Sequence, residues 1–205
     1  KAAALGDSNA MHRLGIILLY GLLGCSRNDR DAVSWLKRAI SAVNCQHLST
    51  QIGQIYGSDD VTDAAQAESL YELACLYEKG ASSAVIRDEH YAFQLYQQAA
   101  TYGHARAQHR LGVAYESGAE LGLVEANASL SVHFYRLAAE IGGCSESQFA
   151  LSGWYLTGIP DELAQSEQEA YAWARRAADQ SLPSAEYAIG YFSEVGIGTK
   201  PDIDE

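Results

Sequence analysis

The side chains best suited to act as ligands, bases or nucleophiles are six histidines, His12, His47, His90, His104, His109 and His133, and four cysteines, Cys25, Cys45, Cys75 and Cys144. No two of the cysteines form a Cys-x-x-Cys pair. No His-Glu-x-x-His, Gly-x-Ser-x-Gly, P-loop or dinucleotide-binding glycine motif occurs. His104 and His109 lie five apart across a turn and could share a metal with Cys75, but no group is placed to orient such ligands. Gly196-Ile-Gly198 comes nearest to a phosphate loop, yet it lacks the Lys-Ser/Thr and follows a helix, so it reads as a helix cap and turn. Asp88-Glu89, Glu167 and Glu169 stand where helices begin, and Arg175-Arg176 where one ends, as the helix dipole favours. Contact of the arginine pair with an acidic partner stays open. The expectation is therefore a chain with no catalytic residue, no metal, no cofactor and no small-molecule substrate.

Composition narrows the class. With 48% hydrophobic residues the chain can bury a core, and no run approaches the roughly 20 apolar residues of a membrane helix. Fourteen Lys and Arg against 26 Asp and Glu give a net charge of −12, which repels phosphate backbones and excludes nucleic acid as a partner. Only three prolines interrupt helices, while 18 glycines are available for their ends. The cysteine spacing points to small buried residues in a reducing compartment. The absence of a leader, and the match of both termini to parts of repeats, predict a segment of a longer array.

The glycines reveal a repeat. An apolar residue, a small one and then Gly six positions later recur as Leu14-Gly15 to Gly21, Leu73-Ala74 to Gly80, Leu111-Gly112 to Gly118, Leu151-Ser152 to Gly158 and Ile189-Gly190 to Gly196. Tyr77, Tyr115 and Tyr155 share one position of this first helix, here termed A. A second helix, B, alternates with it: Trp35-Leu36 with Ala39, Leu95-Tyr96 with Ala99-Ala100, Phe134-Tyr135 with Ala138-Ala139, and Trp173-Ala174 with Ala177-Ala178. Ala32, Ala92, Ser131 and Ala170 complete a helical face on B. Large residues on one helix facing alanines on the next let the two helices approach closely, and each hairpin must stack to bury its face. The prediction is one array over 1–205, with repeats at 8–43, 67–104, 105–143 and 144–182 and a partial one at 183–205. An insertion occupies 44–66, with an additional helix over 46–56 and a loop over 57–63.

The pattern Leu-Gly-x-x-Tyr-x-x-Gly, then Ala-x-x-Trp-Tyr-x-x-Ala-Ala-x-x-Gly, resembles the SEL-like repeats, relatives of the tetratricopeptide repeat. That resemblance covers essentially the whole chain. It implies an all-α solenoid, a right-handed superhelix of antiparallel helix-turn-helix repeats. Ala74 and Ser152 replace Gly, Ser131 replaces Ala, and Ser181 replaces the closing Gly. A narrower resemblance, to fungal regulatory subunits that activate chitin synthase, rests on three runs: Tyr20-Gly-Leu-Leu-Gly-Cys25, 70–79 and Ala150-Leu-Ser-Gly-Trp-Tyr-Leu-Thr-Gly158. Residues 169–178 and 185–198 add to it. The loops at 119–126 and 159–161 depart from that family. The resemblance implies a cytoplasmic protein, peripheral to the plasma membrane at sites of cell-wall growth, that binds a chitin synthase as protein partner.

In such folds helix A lines the inner surface. The positions of 109 and 113, read down the array, give His12 and Ile16, Tyr71 and Cys75, His109 and Val113, Phe149 and Gly153, Tyr187 and Tyr191. A ring recurs once per unit, a ladder suited to an extended peptide or a partner helix. The candidate partner-binding residues are Tyr71, His109, Phe149, Trp154, Tyr187 and Tyr191. Equally, such rings can fill gaps between neighbouring A helices. Two other functions stay open. One is an ER-lumenal adaptor of protein quality control, for which the sequon Asn127-Ala128-Ser129 is the discriminator; the other is a hydrolase within a repeat cradle, for which no nucleophile and base stand side by side.

Overall fold

The structure, a computed structural model, describes residues 2–3, 6–50, 60–80, 85–118 and 124–201. Among these residues nine helices form: α1 (Ser8–Tyr20), α2 (Asp29–Thr50), α3 (Asp60–Lys79), α4 (Glu89–Thr101), α5 (Ala105–Ser117), α6 (Ala128–Glu140), α7 (Ser145–Thr157), α8 (Glu167–Ala178) and α9 (Pro183–Val195). The odd-numbered helices are the expected A helices and the even-numbered ones the B helices. The chain forms two compact units, Lys1–His104 and Ala105–Glu205.

Each B helix begins on a residue chosen for capping. Asn28, Asp88, Asn127 and Ser166 accept the backbone N–H three residues on through their side-chain oxygens. The backbone N–H of each cap also bonds back to one carbonyl near the end of the preceding A helix: Asn28 to Leu18, Asp88 to Tyr77, Asn127 to Tyr115 and Ser166 to Tyr155, at 2.7–2.9 Å. Loops of different length are thus closed at one register. The return turns follow a second rule, in which His104, Cys144 and Leu182 donate to Ala99, Ala138 and Ala177. Ser181 takes φ 60° there, where the other turns use glycine. Asp7 bonds to Ala2 after Gly6 in the same way, as the expected end of a B helix requires.

The glycines that end the five A helices all have positive φ. Gly158 differs from a left-handed cap, with φ 71° and ψ 171°, a conformation that only glycine adopts easily. It leads into the small bridged turn Ile159–Leu163.

Small residues on A receive large ones from B. A Cβ on Gly112 would lie 2.6 Å from the Tyr135 ring, and one on Gly15 would lie 2.9 Å from Leu36 Cγ. Tyr135, Leu36, Leu111 and Leu151 are fully buried, as are Ala32, Ala92, Ser131 and Ala170 on the B face.

Two expectations change. Residues 46–50 continue α2 rather than opening a helix of their own, because neither Gly nor Pro interrupts 43–50; likewise 60–63 already belong to α3. The remainder of the expected extra helix and loop, 51–59, lies outside the described residues, as do 119–123 and 202–205. The cysteines are not uniformly buried: Cys25 is exposed in the α1–α2 loop, and Cys75 and Cys144 are half-buried. Cys25 follows Leu22 and Leu23, which are both exposed in that loop, Leu23 at 86%.

Candidate functional site

The ladder of rings on the A helices is where function was expected, and its rungs have different surroundings. In the first unit His12 Nδ1 lies 2.9 Å from Ser69 Oγ, joining α1 to α3. Tyr71 is half-buried, stacked on His104 with centroids 4.5 Å apart, and 5.8 Å from Tyr96. In the second unit His109 Nδ1 lies 2.9 Å from Ser147 Oγ, joining α5 to α7, with its ring 5.6 Å from Tyr135. Burial pushes the pKa of both His12 and His109 down. Phe149 is half-buried on α7. The His12, Tyr71 and His109 rings thus make contacts between packed helices.

The remaining candidates diverge. Trp154 packs against the core cluster of Val132, Tyr135, Leu151 and Trp173, and its buried Nε1 has no hydrogen-bond partner among the described residues. Tyr187 is 82% exposed and Tyr191 50%, and with Val195 they form a stripe of i, i+4, i+8 spacing along α9. Glu186 and Glu194 flank that stripe, and α9 carries no Lys or Arg. Of the six candidates, Tyr187 and Tyr191 are exposed, and Tyr71, His109, Phe149 and Trp154 are half-buried.

Groups that looked chemical have structural partners. His104 Nε2 bonds Glu68 at 2.8 Å, and no three His, Cys, Asp or Glu among the described residues could hold a metal together. Gly198 packs on the backbone at the start of α8, so the Gly196-Ile-Gly198 segment is a turn seated against that helix. Asn127, the residue of the sequon, caps α6, and Ser129 donates to Glu162. Arg176 lies over the Trp173 ring at 4.4 Å, and Arg175 pairs with Asp179.

Two contacts between helices escaped the sequence reading. Tyr96 donates its hydroxyl to Glu78 at 2.8 Å and Tyr135 to Glu116 at 2.6 Å, each from a B helix to its own A helix. Burial pushes the pKa of both hydroxyls up. The signal was present between the repeats: where A carries Glu at this position B carries Tyr, and where A carries Leu19 or Leu156 B carries Leu36 or Ala174. Secondly, Lys37 donates to the Tyr77 hydroxyl at 3.0 Å and Arg136 to that of Tyr155 at 3.5 Å, each from a B helix to the next A helix.

These repeated hairpins define a class. The Sel1 repeat family model matches residues 8–44, 67–104, 105–143, 145–182 and 183–205, and the chain belongs to this family. Its fold is an all-α solenoid, like that of the Sel1 repeat protein from Oxalobacter formigenes, with a TM-score of 0.73 at 21% identity over 97% of this chain and 69% of that one. Among curated proteins it is 40% identical to the chitin synthase regulator SKT5 of Malassezia restricta, over 91% of this chain and 11% of that protein. It is 38% identical to chitin synthase regulatory factor 3 of Schizosaccharomyces pombe, over 98% of this chain and 19% of that protein. For the chitin synthase regulator SKT5 of Saccharomyces cerevisiae the identity is 37%, over 99% and 26%. The chain thus spans about a tenth to a quarter of the length of these relatives. No helix among its described residues is long and apolar enough to cross a membrane.

Proposed function

We propose that this chain is the protein-binding repeat segment of a chitin synthase regulator, a scaffold without chemistry of its own. The observation that carries the reading is similarity at 37–40% identity, across at least 91% of the chain, to three proteins named as such regulators. The side-chain arrangement supports it: the buried polar groups described above serve helix packing, and α9 presents exposed rings framed by carboxylates. The partner is a chitin synthase, and the protein acts in the cytoplasm, reaching the plasma membrane only through that partner or through other parts of the whole protein. The relatives favour this reading over the lumenal adaptor.

The test is co-purification of the whole protein with chitin synthase from fungal membranes, identified by mass spectrometry. Chitin synthase should be recovered, and Tyr187→Ala with Tyr191→Ala should lower the recovery severalfold at unchanged helical content, because both rings are solvent-exposed. Unchanged recovery removes α9 from the binding surface. Failure to recover chitin synthase with the unaltered protein overturns the function.

A further inference from the structure

Helix α9 is an A helix, and among the described residues no B helix follows it. In the four hairpins that have both helices the small residue of A is buried, as Gly15, Ala74, Gly112 and Ser152. Gly190 holds that position on α9 and is exposed. A Cβ on Gly112 would lie 2.6 Å from the Tyr135 ring, whereas one on Gly190 would meet nothing within 4 Å. The neighbouring residue agrees: Leu73, Leu111 and Leu151 are at most 1% exposed, and Ile189 is half-buried. Glycine in the middle of a helix weakens it, and α9 keeps one where nothing described needs the space.

Glu194 is the second sign. At its position in two other A helices, Glu78 and Glu116 accept the hydroxyls of Tyr96 and Tyr135. Each tyrosine stands eight residues beyond the cap of its own B helix, Asp88 or Asn127. Where the A helix carries Leu19 or Leu156 instead, the residue eight beyond the cap is Leu36 or Ala174. Glu194 is exposed, and no such donor reaches it among the described residues.

The turn after α9 shows where the donor comes from. In each complete hairpin the residue just before the B cap packs on the glycine that ends A: a Cβ on Gly21, Gly80, Gly118 or Gly158 would lie within 3.4 Å of Arg27, Arg87, Ala126 or Gln165. Pro201 packs on Gly196 in the same way, 2.6 Å from such a Cβ. That register puts Asp202 in the capping place, and Asp202-Ile-Asp-Glu205 has the acidic cap followed three residues on by Glu that opens a helix.

We propose that Ile189, Gly190 and Glu194 form the seat of a helix of this same chain that is capped by Asp202 and carries a tyrosine eight residues beyond it. The ring lies over Gly190 and the hydroxyl donates to Glu194, as Tyr135 does over Gly112 and to Glu116. The contact is within the chain, so it stands whether or not the partner is a chitin synthase.

The test compares amide hydrogen exchange of α9 in the whole protein, purified without chitin synthase, with that in residues 1–205 alone. Exchange in α9 should be slower in the whole protein. Gly190→Leu should act in opposite directions: in 1–205 the leucine faces open space and favours the helix, slowing exchange about fourfold. In the whole protein it fills the seat and should speed exchange about tenfold or more. Slowing by Gly190→Leu in both, or protection of α9 that appears only when chitin synthase is added, overturns the proposal. So does any residue other than tyrosine eight places beyond Asp202 in the whole protein.

Discussion

The unit Lys1–His104 connects its hairpins through two long helices, α2 of 22 residues and α3 of 20, whereas every helix of Ala105–Glu205 has 12 or 13. In the second unit the passage from B to A is a short turn, closed by the bond from Cys144 to Ala138. In the first it takes the whole of the extra chain between α2 and α3. Yet the same side chains meet. His12 finds Ser69 as His109 finds Ser147, and Lys37 finds Tyr77 as Arg136 finds Tyr155. The stacking register is therefore held by contacts across the hairpins, and the connection between them is free to vary.

The first hairpins of the two units differ in how tightly A meets B, and that difference predicts the largest effect. Gly112→Ala places a methyl 2.6 Å from ring carbons of Tyr135, a rigid side chain bonded to Glu116 and unable to step aside. Gly15→Ala meets the branched end of Leu36 at 2.9 Å, which can rotate. We expect Gly112→Ala to destabilise the second unit by about 1–3 kcal/mol through overpacking. Gly15→Ala should cost the first unit well under about 1 kcal/mol, since alanine also gains about that much in helix propensity. Urea denaturation followed by exchange in α5–α6 and α1–α2 separates the two. Equal losses would mean that the glycines do not set the approach distance.

Next comes the bond from a B-helix Tyr to the Glu of its own A helix, found among the described residues at Tyr96–Glu78 and Tyr135–Glu116. Tyr96→Phe and Tyr135→Phe should each cost about 1 kcal/mol, because a bond to a charged acceptor is lost while the freed carboxylate regains water. A double-mutant cycle of Tyr135→Phe with Glu116→Leu, which imports the leucine of the first and fourth hairpins, should show a coupling near about 1 kcal/mol. Additive losses would reduce the pairing of Glu with Tyr and of Leu with apolar residues to coincidence.

Much of this was legible from spacing. The glycine and alanine intervals locate the A and B helices because close packing of two helices leaves no freedom in where small residues fall. The caps at Asp88 and Asn127 were equally readable, since a side chain bonding three residues ahead is a local matter. The ladder was harder. A helical position shows which way a ring points, but whether it meets solvent or a neighbour depends on the next A helix, 38 or more residues on. His109 is covered because Ser147 is there, and Tyr187 is open on a helix with no such neighbour described. The length of α2 was missed for the opposite reason: no breaker marks its end before Gly53, and repeat logic imposed one.

The smallest effect concerns the clasps between a B helix and the next A helix. Lys37→Met and Arg136→Met keep most of the aliphatic stem but remove the donors to Tyr77 and Tyr155, bonds of 3.0 and 3.5 Å at exposed positions. Each should lower stability by no more than about 0.5 kcal/mol, as befits a solvated polar contact. Lys37 should matter slightly more, for its ammonium also lies 5.6 Å from the Tyr77 ring, and its bond is the shorter. If the register between hairpins is held by the half-buried histidine–serine bonds, both variants should leave exchange in α3 and α7 at wild-type rates. Faster exchange in α3 alone would instead show that the first unit, with its long connection, leans on the surface clasp where the second does not.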